Sequence, residues 1–211
     1  MASNASVLQE FWDTKYQCAA TPFDVERPDE WIATLANDGK IHGNVLDAGC
    51  GPGRTSRYLA KLGHTVLGVD FSLNAIQRAE TKASVTEGYV QFVQAHVCKL
   101  FGFDRHFDTV VDIGCFHSLD ASERGGYAAA LHRYCRPRSV VYLRAFSANS
   151  DDQSPRPSGR PTPALHEEEI RNTFSSNGWV VRDLREREID LFISARDTPR
   201  TKCWFAEMHY A

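Results

Sequence analysis

The stretch Asp47-Ala48-Gly49-Cys50-Gly51-Pro52-Gly53 decides the fold of this chain. It follows the apolar run Asn44–Asp47, which is predicted to be a strand, and precedes Thr55–Leu62, which is predicted to be a helix. Glycine is needed where the backbone has a positive φ or lies against a ligand with no Cβ in between. Three alternating glycines at this point therefore predict a turn that presents the N-terminus of a helix to a bound ligand.

Short apolar runs and helical patterns alternate along the rest of the chain. The predicted strands are Asn44–Asp47, Thr65–Asp70, Val90–Gln94, Phe107–Ile113, Ser139–Phe146, Trp179–Glu188 and Thr201–Tyr210. The predicted helices are Thr55–Leu62, Leu73–Lys82, Ser122–Cys135 and Glu167–Ser176. Strands that alternate with helices form parallel sheets, whereas a short polar connection before the last strand predicts a hairpin. The fold class is therefore α/β: a three-layer sandwich with helices on both faces of a seven-stranded, mostly parallel sheet whose last strand is antiparallel.

The composition is that of an ordinary globular protein: of 211 residues, 42% are hydrophobic and 24% charged. We expect a single domain over residues 1–211. The formal charge of −3 gives no electrostatic reason to expect nucleic acid, and no apolar run approaches the roughly 20 residues that span a membrane. The first residues lack an export signal, so a cytoplasmic location is expected. The sequence does not distinguish a monomer from a homodimer. The cysteines and histidines show no metal-ligand spacing, so no metal is expected.

Two segments stand outside the alternating pattern. Residues 1–40 hold an unusual number of aromatic side chains and are predicted to form an N-terminal cap; these side chains are Phe11, Trp12, Tyr16, Phe23 and Trp31. Residues 147–165 are rich in proline, serine and charged side chains, and are predicted to form a flexible lid loop. Both segments are expected to exclude water from a site beneath them.

Two carboxylates flank the glycine turn and define the ligand. Asp70 ends the second predicted strand, where a carboxylate can accept both hydroxyls of a ribose. Asp47 precedes the glycines, where it would repel a pyrophosphate but would attract the α-ammonium of a methionine moiety. The glycine spacing also differs from that of dinucleotide-binding folds, and no Tyr-x-x-x-Lys pair is present, so an NAD-dependent oxidoreductase is disfavoured.

Asp47-x-Gly49-x-Gly51-x-Gly53, Gly68-Val69-Asp70 and the seven-strand pattern resemble the Rossmann-like S-adenosyl-methionine-dependent methyltransferases. This resemblance covers residues 41–146 well and the terminal hairpin in pattern. It implies S-adenosyl-methionine as cofactor, S-adenosyl-homocysteine as its product and a methyl acceptor as the second ligand. The acceptor is expected to be a small molecule, because the chain shows no separate module for binding nucleic acid or protein.

A narrower resemblance extends toward the N-terminus. Trp12-x-x-x-Tyr16 and Thr21-Pro22-Phe23 are similar to the aromatic leader of the thiopurine and thiol methyltransferases. Asp112-Ile113-Gly114-Cys115-Phe116-His117 is similar to small bacterial methyltransferases that act on heterocyclic or phenolic compounds. The first likeness implies that Trp12 and Tyr16 cover the methionine end of the cofactor, where an aromatic face suits a sulfonium cation.

The chain departs from the family pattern at two positions. The family usually has an aspartate after the third strand, where this chain has His96-Val97. A neutral imidazole could accept a hydrogen bond from the adenine amine, while the Val97 N–H faces the ring. The usual proline-glycine-glycine turn before the fifth strand is replaced by Arg136-Pro137-Arg138-Ser139. The predicted cofactor-binding residues are Trp12, Tyr16, Asp47, Gly49, Gly51, Gly53, Asp70, Phe71, His96, Val97 and Asp112.

His117 is the candidate catalytic base, since it follows the fourth strand and its intrinsic pKa suits proton removal near neutrality. A structural histidine that caps the next helix is an equally good interpretation. Asp112 is expected to orient cofactor or substrate. The predicted acceptor-binding residues are Phe23, Phe116, His117 and Arg144. The departures from the family pattern also leave open a non-catalytic S-adenosyl-methionine-binding module, or a subunit that needs a partner.

Overall fold

The computed structural model describes residues 4–17, 26–85, 87–149, 164–190 and 200–211, and seven strands lie within them. The strands are β1 (Asn44–Ala48), β2 (Thr65–Asp70), β3 (Val90–Gln94), β4 (Phe107–Ile113), β5 (Cys135–Phe146), β6 (Trp179–Asp190) and β7 (Arg200–Tyr210). They form one sheet in the order β3-β2-β1-β4-β5-β7-β6. β7 is antiparallel to both of its neighbours, and the other strand pairs are parallel. The predicted fold class is confirmed.

Helices cover both faces of the sheet. They are α1 (Asn4–Gln17), α2 (Glu30–Asn37), α3 (Arg54–Lys61), α4 (Leu73–Ala83), α5 (Ala121–Tyr134) and α6 (Glu167–Ser175). α5 and α6 contribute to the larger apolar cluster, and α2 and α3 to the smaller one. None of the helices in the described residues is long and apolar enough to cross a membrane.

The central strands read as continuous apolar runs because both of their faces are buried. Successive side chains of a strand point to opposite faces, so Val110 of β4 packs in the α5–α6 cluster and Val111 in the α2–α3 cluster. In β1, Leu46 likewise packs in the α5–α6 cluster and Val45 in the α2–α3 cluster. These four residues are fully buried.

The chain leaves β1 toward β2 on one side, and β4 occupies the other side of β1. In open α/β sheets, ligands bind where the strand order reverses in this way, outside the carboxyl ends of the strands. The ends of β1, β2, β4 and β5 therefore define the expected position of the site.

α1 is held over this edge of the sheet by Asp13. One oxygen of the Asp13 carboxylate accepts hydrogen bonds from Ser72 Oγ (2.6 Å) and from the Asn74 N–H (3.0 Å). Burial opposes ionisation of Asp13, but these hydrogen bonds outweigh it and lower the pKa of this carboxyl. Ser72 also caps α4, because its Oγ accepts the Ala75 N–H (3.2 Å).

Two predicted features of the cap and lid fall partly outside the described residues. Phe23 lies in the segment 18–25 and most of the predicted lid loop lies in 150–163, neither of which the structure describes. The described part of the cap consists of α1, α2 and the residues just before α2.

Residues 136–139, predicted to form a turn before the fifth strand, lie within β5 next to a register shift against β4. Arg138 is exposed and has a φ of +73°, at the position where the resembling family has glycine. A side chain with Cβ is strained in this backbone region by about 1 kcal/mol. We expect Arg138→Gly to stabilise the protein by about 1 kcal/mol, which corresponds to a rise in Tm of about 2–4 °C in thermal unfolding. Arg138→Ala is the matched control, since it removes the same charge and keeps the strain; an equal rise in both variants would contradict the explanation.

Candidate functional site

A cavity of about 620 Å³ lies at the carboxyl ends of β1, β2, β4 and β5. α1, α2 with the residues before it, the residues after β3, and parts of β6 and β7 also line it. Its volume is typical of a small-molecule site. The sequence-predicted residues that line it are Trp12, Tyr16, Asp47, Gly49, Gly51, Asp70, Phe71, His96, Val97, His117 and Arg144.

The glycine turn forms one wall of the cavity with its bare backbone. Gly49 and Gly51 have φ angles of +69° and +52°. A Cβ on Gly49 would lie 2.7 Å from Cys115 Cβ, and a Cβ on Gly51 would lie 2.9 Å from Tyr16 Oη. Side chains are therefore excluded at both positions by conformation and by space.

Gly53 has a different role from the one predicted. It does not line the cavity, and its Cβ would meet the ring of Phe92 at 2.6 Å. With a φ of +74°, it is the residue from which α3 begins. Gly53 therefore permits close packing of α3 against β3.

Asp47 presents a buried carboxylate at the end of β1. Its Oδ2 accepts a hydrogen bond from Ser56 Oγ (2.5 Å), and 3% of the residue is exposed. Burial raises the pKa of Asp47 to about 7, and the negative charge of Asp112 adds to this rise. A positively charged ligand group would offset the cost of ionising this buried carboxyl, so the site favours an ammonium group.

Asp70 joins the glycine turn to the start of α4. Its Oδ2 accepts the Gly51 N–H and its Oδ1 accepts the Ser72 N–H, both at 2.9 Å. Burial raises the pKa of Asp70 to about 6. Each carboxylate oxygen has a second lone pair, which leaves acceptors for the two hydroxyls of a ribose. Phe71 follows at the cavity wall, with its carbonyl oxygen held by Gln9 Nε2 (2.9 Å).

His96 lies at the cavity wall with its ring nitrogens already engaged. Nδ1 accepts the Cys98 N–H (3.3 Å), and Nε2 lies 3.6 Å from a carboxylate oxygen of Glu123. A neutral imidazole that accepts at Nδ1 carries its proton on Nε2. The ring therefore does not offer a lone pair to an adenine amine, and the expected acceptor role does not fit this geometry. Val97 lines the same wall.

The residues around the cavity fit S-adenosyl-methionine. Asp47 suits its α-ammonium, Asp70 its ribose, and the glycine turn leaves room where a Cβ would intrude. Trp12 and Tyr16 stack with ring centroids 5.9 Å apart and both line the cavity, so an aromatic face is available to a sulfonium. No group of residues that could hold a metal ion is found in the described parts of the chain.

Asp112 does not line the cavity, contrary to prediction. The residue is fully buried, and its carboxylate accepts the backbone N–H groups of residues 114–116 at 2.7–3.0 Å and the Tyr127 hydroxyl at 2.6 Å. Burial raises the pKa of Asp112 to about 6. Its four hydrogen bonds fix the loop that carries His117, so Asp112 is a positioning residue.

His117 lines the cavity but is oriented by the protein backbone. Its Nδ1 accepts the Phe146 N–H (3.3 Å), and its ring packs against that of Phe146 with centroids 4.6 Å apart. The neutral ring then carries its proton on Nε2, which makes it a hydrogen-bond donor where a base was expected. The neighbouring Phe116 is fully buried against Tyr127 and Phe174 and does not form the predicted cavity wall.

Arg144 lines the cavity in an ion-pair network that the sequence did not indicate. Arg144 Nη1 pairs closely with Asp29 Oδ2, and Arg54 Nη2 lies 3.7 Å from the same oxygen. Asp29 Oδ1 caps α2 by accepting the N–H groups of residues 31 and 32 at 3.1 and 3.4 Å. Two sequence patterns could have identified these residues: Asp29 stands directly before α2, and Arg54 directly follows the glycine turn.

The opposite end of the cavity has an aromatic wall formed by Trp31 of α2 and Phe205 of β7. The rings of Trp31 and Phe205 are perpendicular with centroids 4.9 Å apart, and the Arg187 guanidinium lies 5.7 Å from the Phe205 centroid. Phe205 is far from the glycine turn in sequence, and only the pairing of β5 with β7 brings it beside Arg144. Because of this separation along the chain, the position of Phe205 beside the cavity could not be predicted from local sequence patterns.

Comparison with known proteins gives a consistent set of relatives. The methyltransferase-domain family matches residues 45–138. An uncharacterised methyltransferase of Schizosaccharomyces pombe is 50% identical over 113 residues, which cover 54% of this chain and 78% of that protein. The 2-heptyl-1-hydroxyquinolin-4(1H)-one methyltransferase of Mycobacteroides abscessus is 32% identical over 84% of this chain and 79% of its own. A further match is the structure of the 1,6-didemethyltoxoflavin-N1-methyltransferase of Burkholderia thailandensis with S-adenosylhomocysteine bound. The match has a TM-score of 0.76 at 21% identity and covers all of this chain and 92% of that one, so the two proteins share the fold.

The raised pKa of Asp47 predicts how stability depends on pH. The folded carboxyl has a pKa of about 7 against an ordinary value of 3.8, so as pH rises the unfolded chain ionises first. Asp47 therefore contributes stability below pH 4 that is lost by about pH 7, on the order of 4 kcal/mol. In the ligand-free protein, Asp47→Asn should raise Tm above that of wild type at pH 8, and the difference should shrink toward pH 5. Glu87→Gln, an exposed carboxyl, is the control; identical pH profiles for wild type and Asp47→Asn would contradict the prediction.

Proposed function

The chain belongs to the S-adenosyl-methionine-dependent methyltransferase family, and on that premise we propose that it methylates an oxygen, nitrogen or sulfur atom of a small aromatic or heterocyclic acceptor. The observation that carries the proposal is the pair of buried carboxylates, Asp47 and Asp70, on either side of a glycine-rich turn in one cavity. This arrangement matches the ammonium and ribose groups of the cofactor. The same cavity continues to a second, aromatic end.

When bound, S-adenosyl-methionine supplies an electrophilic methyl group attached to a positively charged sulfur. Asp47 would hold its α-ammonium, Asp70 its ribose hydroxyls, and Trp12 with Tyr16 would cover the sulfonium. Most of the rate enhancement then comes from alignment, because a neutral thioether is a good leaving group. Alignment is what a cavity enclosed by α1 and the C-terminal hairpin provides.

The acceptor end suits a flat, partly polar ring. Trp31 and Phe205 supply perpendicular aromatic faces, while His117 and Arg144 supply hydrogen-bond donors on the neighbouring wall. The name of the Mycobacteroides abscessus relative, which specifies a hydroxyquinolinone, supports the same class of acceptor, and the structural neighbour from Burkholderia thailandensis is named for 1,6-didemethyltoxoflavin. A small heterocycle or phenol is the acceptor we propose here.

Binding and turnover together test this proposal. The purified protein is titrated by calorimetry with S-adenosyl-methionine, S-adenosyl-homocysteine and NAD, and then incubated with S-adenosyl-methionine and a panel of phenols, thiols and N-heterocycles under mass-spectrometric detection. We expect the two adenosyl compounds to bind, NAD not to bind, and at least one acceptor to gain a methyl group. Adenosyl binding with no methylated product across the panel would favour a non-catalytic cofactor-binding module instead.

Asp70→Asn tests the assigned ribose contact. Loss of the charged acceptor should weaken S-adenosyl-homocysteine binding by about 10–100-fold, because a hydrogen bond to a charged group contributes about 1.5–3 kcal/mol. The measurement is calorimetric titration of wild type and variant, with thermal unfolding to establish that the variant is folded. Glu87→Gln serves as the matched control, and equal affinities for wild type and Asp70→Asn would rule out the contact.

A further inference from the structure

Asp29 is a buried acid that joins three parts of the cavity wall. Its Oδ1 accepts the N–H groups of Trp31 (3.1 Å) and Ile32 (3.4 Å), and so fixes the start of α2. Its Oδ2 pairs closely with Arg144 Nη1, and Arg54 Nη2 lies 3.7 Å from the same oxygen. The residue is 5% exposed. Both carboxylate oxygens are therefore engaged, and each holds a different part of the structure.

The ion pair with Asp29 fixes the direction of the Arg144 guanidinium. Arg144 lies on β5 between its register partners, Ile113 of β4 and Phe205 of β7, and all three residues line the cavity. A guanidinium carries five N–H groups in one plane, so holding one of them on a carboxylate sets the direction of the others. A long side chain that is already ordered loses less conformational entropy when a ligand binds to it. Asp29 therefore prepares Arg144 to donate to a ligand in the cavity.

The same carboxylate keeps two guanidinium groups close together. Arg54 is the first residue of α3, directly after the glycine turn, and its side chain is 22% exposed. Burial lowers the pKa of Arg54; the negative charge of Asp29 opposes this effect, and the positive charge of Arg144 adds to it. Because the two positive charges repel each other, their arrangement depends on the acid that they share. Removal of the Asp29 charge is therefore expected to displace both arginine side chains.

The helix that Asp29 caps carries one face of the aromatic wall. The ring of Trp31 is perpendicular to the rings of Phe205, with centroids 4.9 Å apart, and of Tyr142, with centroids 6.0 Å apart. Trp31 follows Asp29 by two residues, so its position depends on where α2 begins. One residue thus fixes both a hydrogen-bond donor and an aromatic face at the acceptor end of the cavity.

From these contacts we infer that Asp29 is a positioning residue that determines which acceptors bind, and that it acts through Arg144 and Trp31. The inference rests on the proposed function and deepens it. The acceptor class that this arrangement selects is a flat ring with an oxygen or nitrogen lone pair at one edge. The ring would pack against Trp31, and the lone pair would accept a hydrogen bond from Arg144.

A double-mutant cycle in acceptor binding tests the inference. The probe is 2-heptyl-1-hydroxyquinolin-4(1H)-one, the compound in the name of the Mycobacteroides abscessus relative. It is titrated by calorimetry into the protein with saturating S-adenosyl-homocysteine. The variants are Asp29→Asn, Arg144→Gln and the double variant. Asparagine caps helices as well as aspartate does, so Asp29→Asn keeps the start of α2 and removes the charge that holds Arg144.

We expect Asp29→Asn to weaken probe binding by about 3–10-fold, because the probe must then order the Arg144 side chain. If Asp29 acts through Arg144, the double variant should bind the probe no more weakly than Arg144→Gln does. Losses that multiply in the double variant, or an affinity of Asp29→Asn equal to that of wild type, would overturn the inference.

Asp29→Ala tests the contribution through Trp31. This variant loses the helix cap as well as the charge, so we expect it to bind the probe more weakly than Asp29→Asn does. Equal affinities for the two variants would contradict a role of the cap in acceptor binding.

Thermal unfolding and the calorimetric stoichiometry separate positioning from a loss of folded protein. A poorly folded variant would bind fewer equivalents of S-adenosyl-homocysteine and of the probe alike, whereas a positioning role changes the affinity of the folded fraction for the probe. Glu87→Gln removes the same charge at an exposed position and is the matched control. An equal loss of probe affinity in Glu87→Gln would assign the effect to net charge and would overturn the inference.

Turnover separates this inference from the proposed function. Methyl transfer from S-adenosyl-methionine to the same probe is measured for wild type and Asp29→Asn. Probe binding that follows the cycle, without methyl transfer by wild type, would contradict the proposed activity and leave the positioning role in place. Methyl transfer with equal probe affinity in both proteins would contradict the positioning role and leave the activity in place. No probe binding by wild type would also overturn the inference.

Discussion

The hydrogen bonds of the Asp70 carboxylate are the interaction on which the rest of the site depends. One oxygen holds the glycine turn through Gly51, and the other holds the start of α4 through Ser72. Ser72 in turn donates to Asp13 of α1. A single buried group therefore connects the end of β2, the turn after β1 and the helix that closes over the cavity.

Buried carboxylates recur at the ends of the central strands, and each has a different use. Asp112 satisfies its lone pairs with four protein donors and so holds a loop. Asp47 has Ser56 as its hydrogen-bonding side chain, and burial raises its pKa to about 7. Asp112 is therefore a structural acid, whereas the charge of Asp47 would be compensated better by a positively charged ligand group.

Much of the architecture could be predicted from the sequence, because the physical signals were local. The bounds predicted for β2, β3 and β4 coincide with those observed, since each of these apolar runs ends at turn residues. The cavity walls at Asp47, Asp70 and the glycine turn also follow from position at strand ends. What the sequence does not specify is direction: Asp112 and Phe116 lie beside the site in the chain but face into the core.

Contacts between distant residues could not be predicted either. The ion pair of Asp29 with Arg144 joins groups 115 residues apart, and the Trp31–Phe205 contact spans most of the chain. Both depend on how the cap and the hairpin pack on a finished sheet. Sequence patterns define elements well, but the packing angles that bring such pairs together arise from the whole structure.

The strand order affects which parts of the cavity can change independently during evolution. β7 lies between β5 and β6, so β6 pairs with β7 at the edge of the described sheet. Residues of β6 and β7 together line the far wall of the cavity. The residues proposed to hold the cofactor come from α1 and from residues 44–97, whereas the far wall includes residues 187–190, Cys203 and Phe205. On the proposed function, substitutions in the hairpin would change which acceptor binds while the residues proposed to hold the cofactor stay the same.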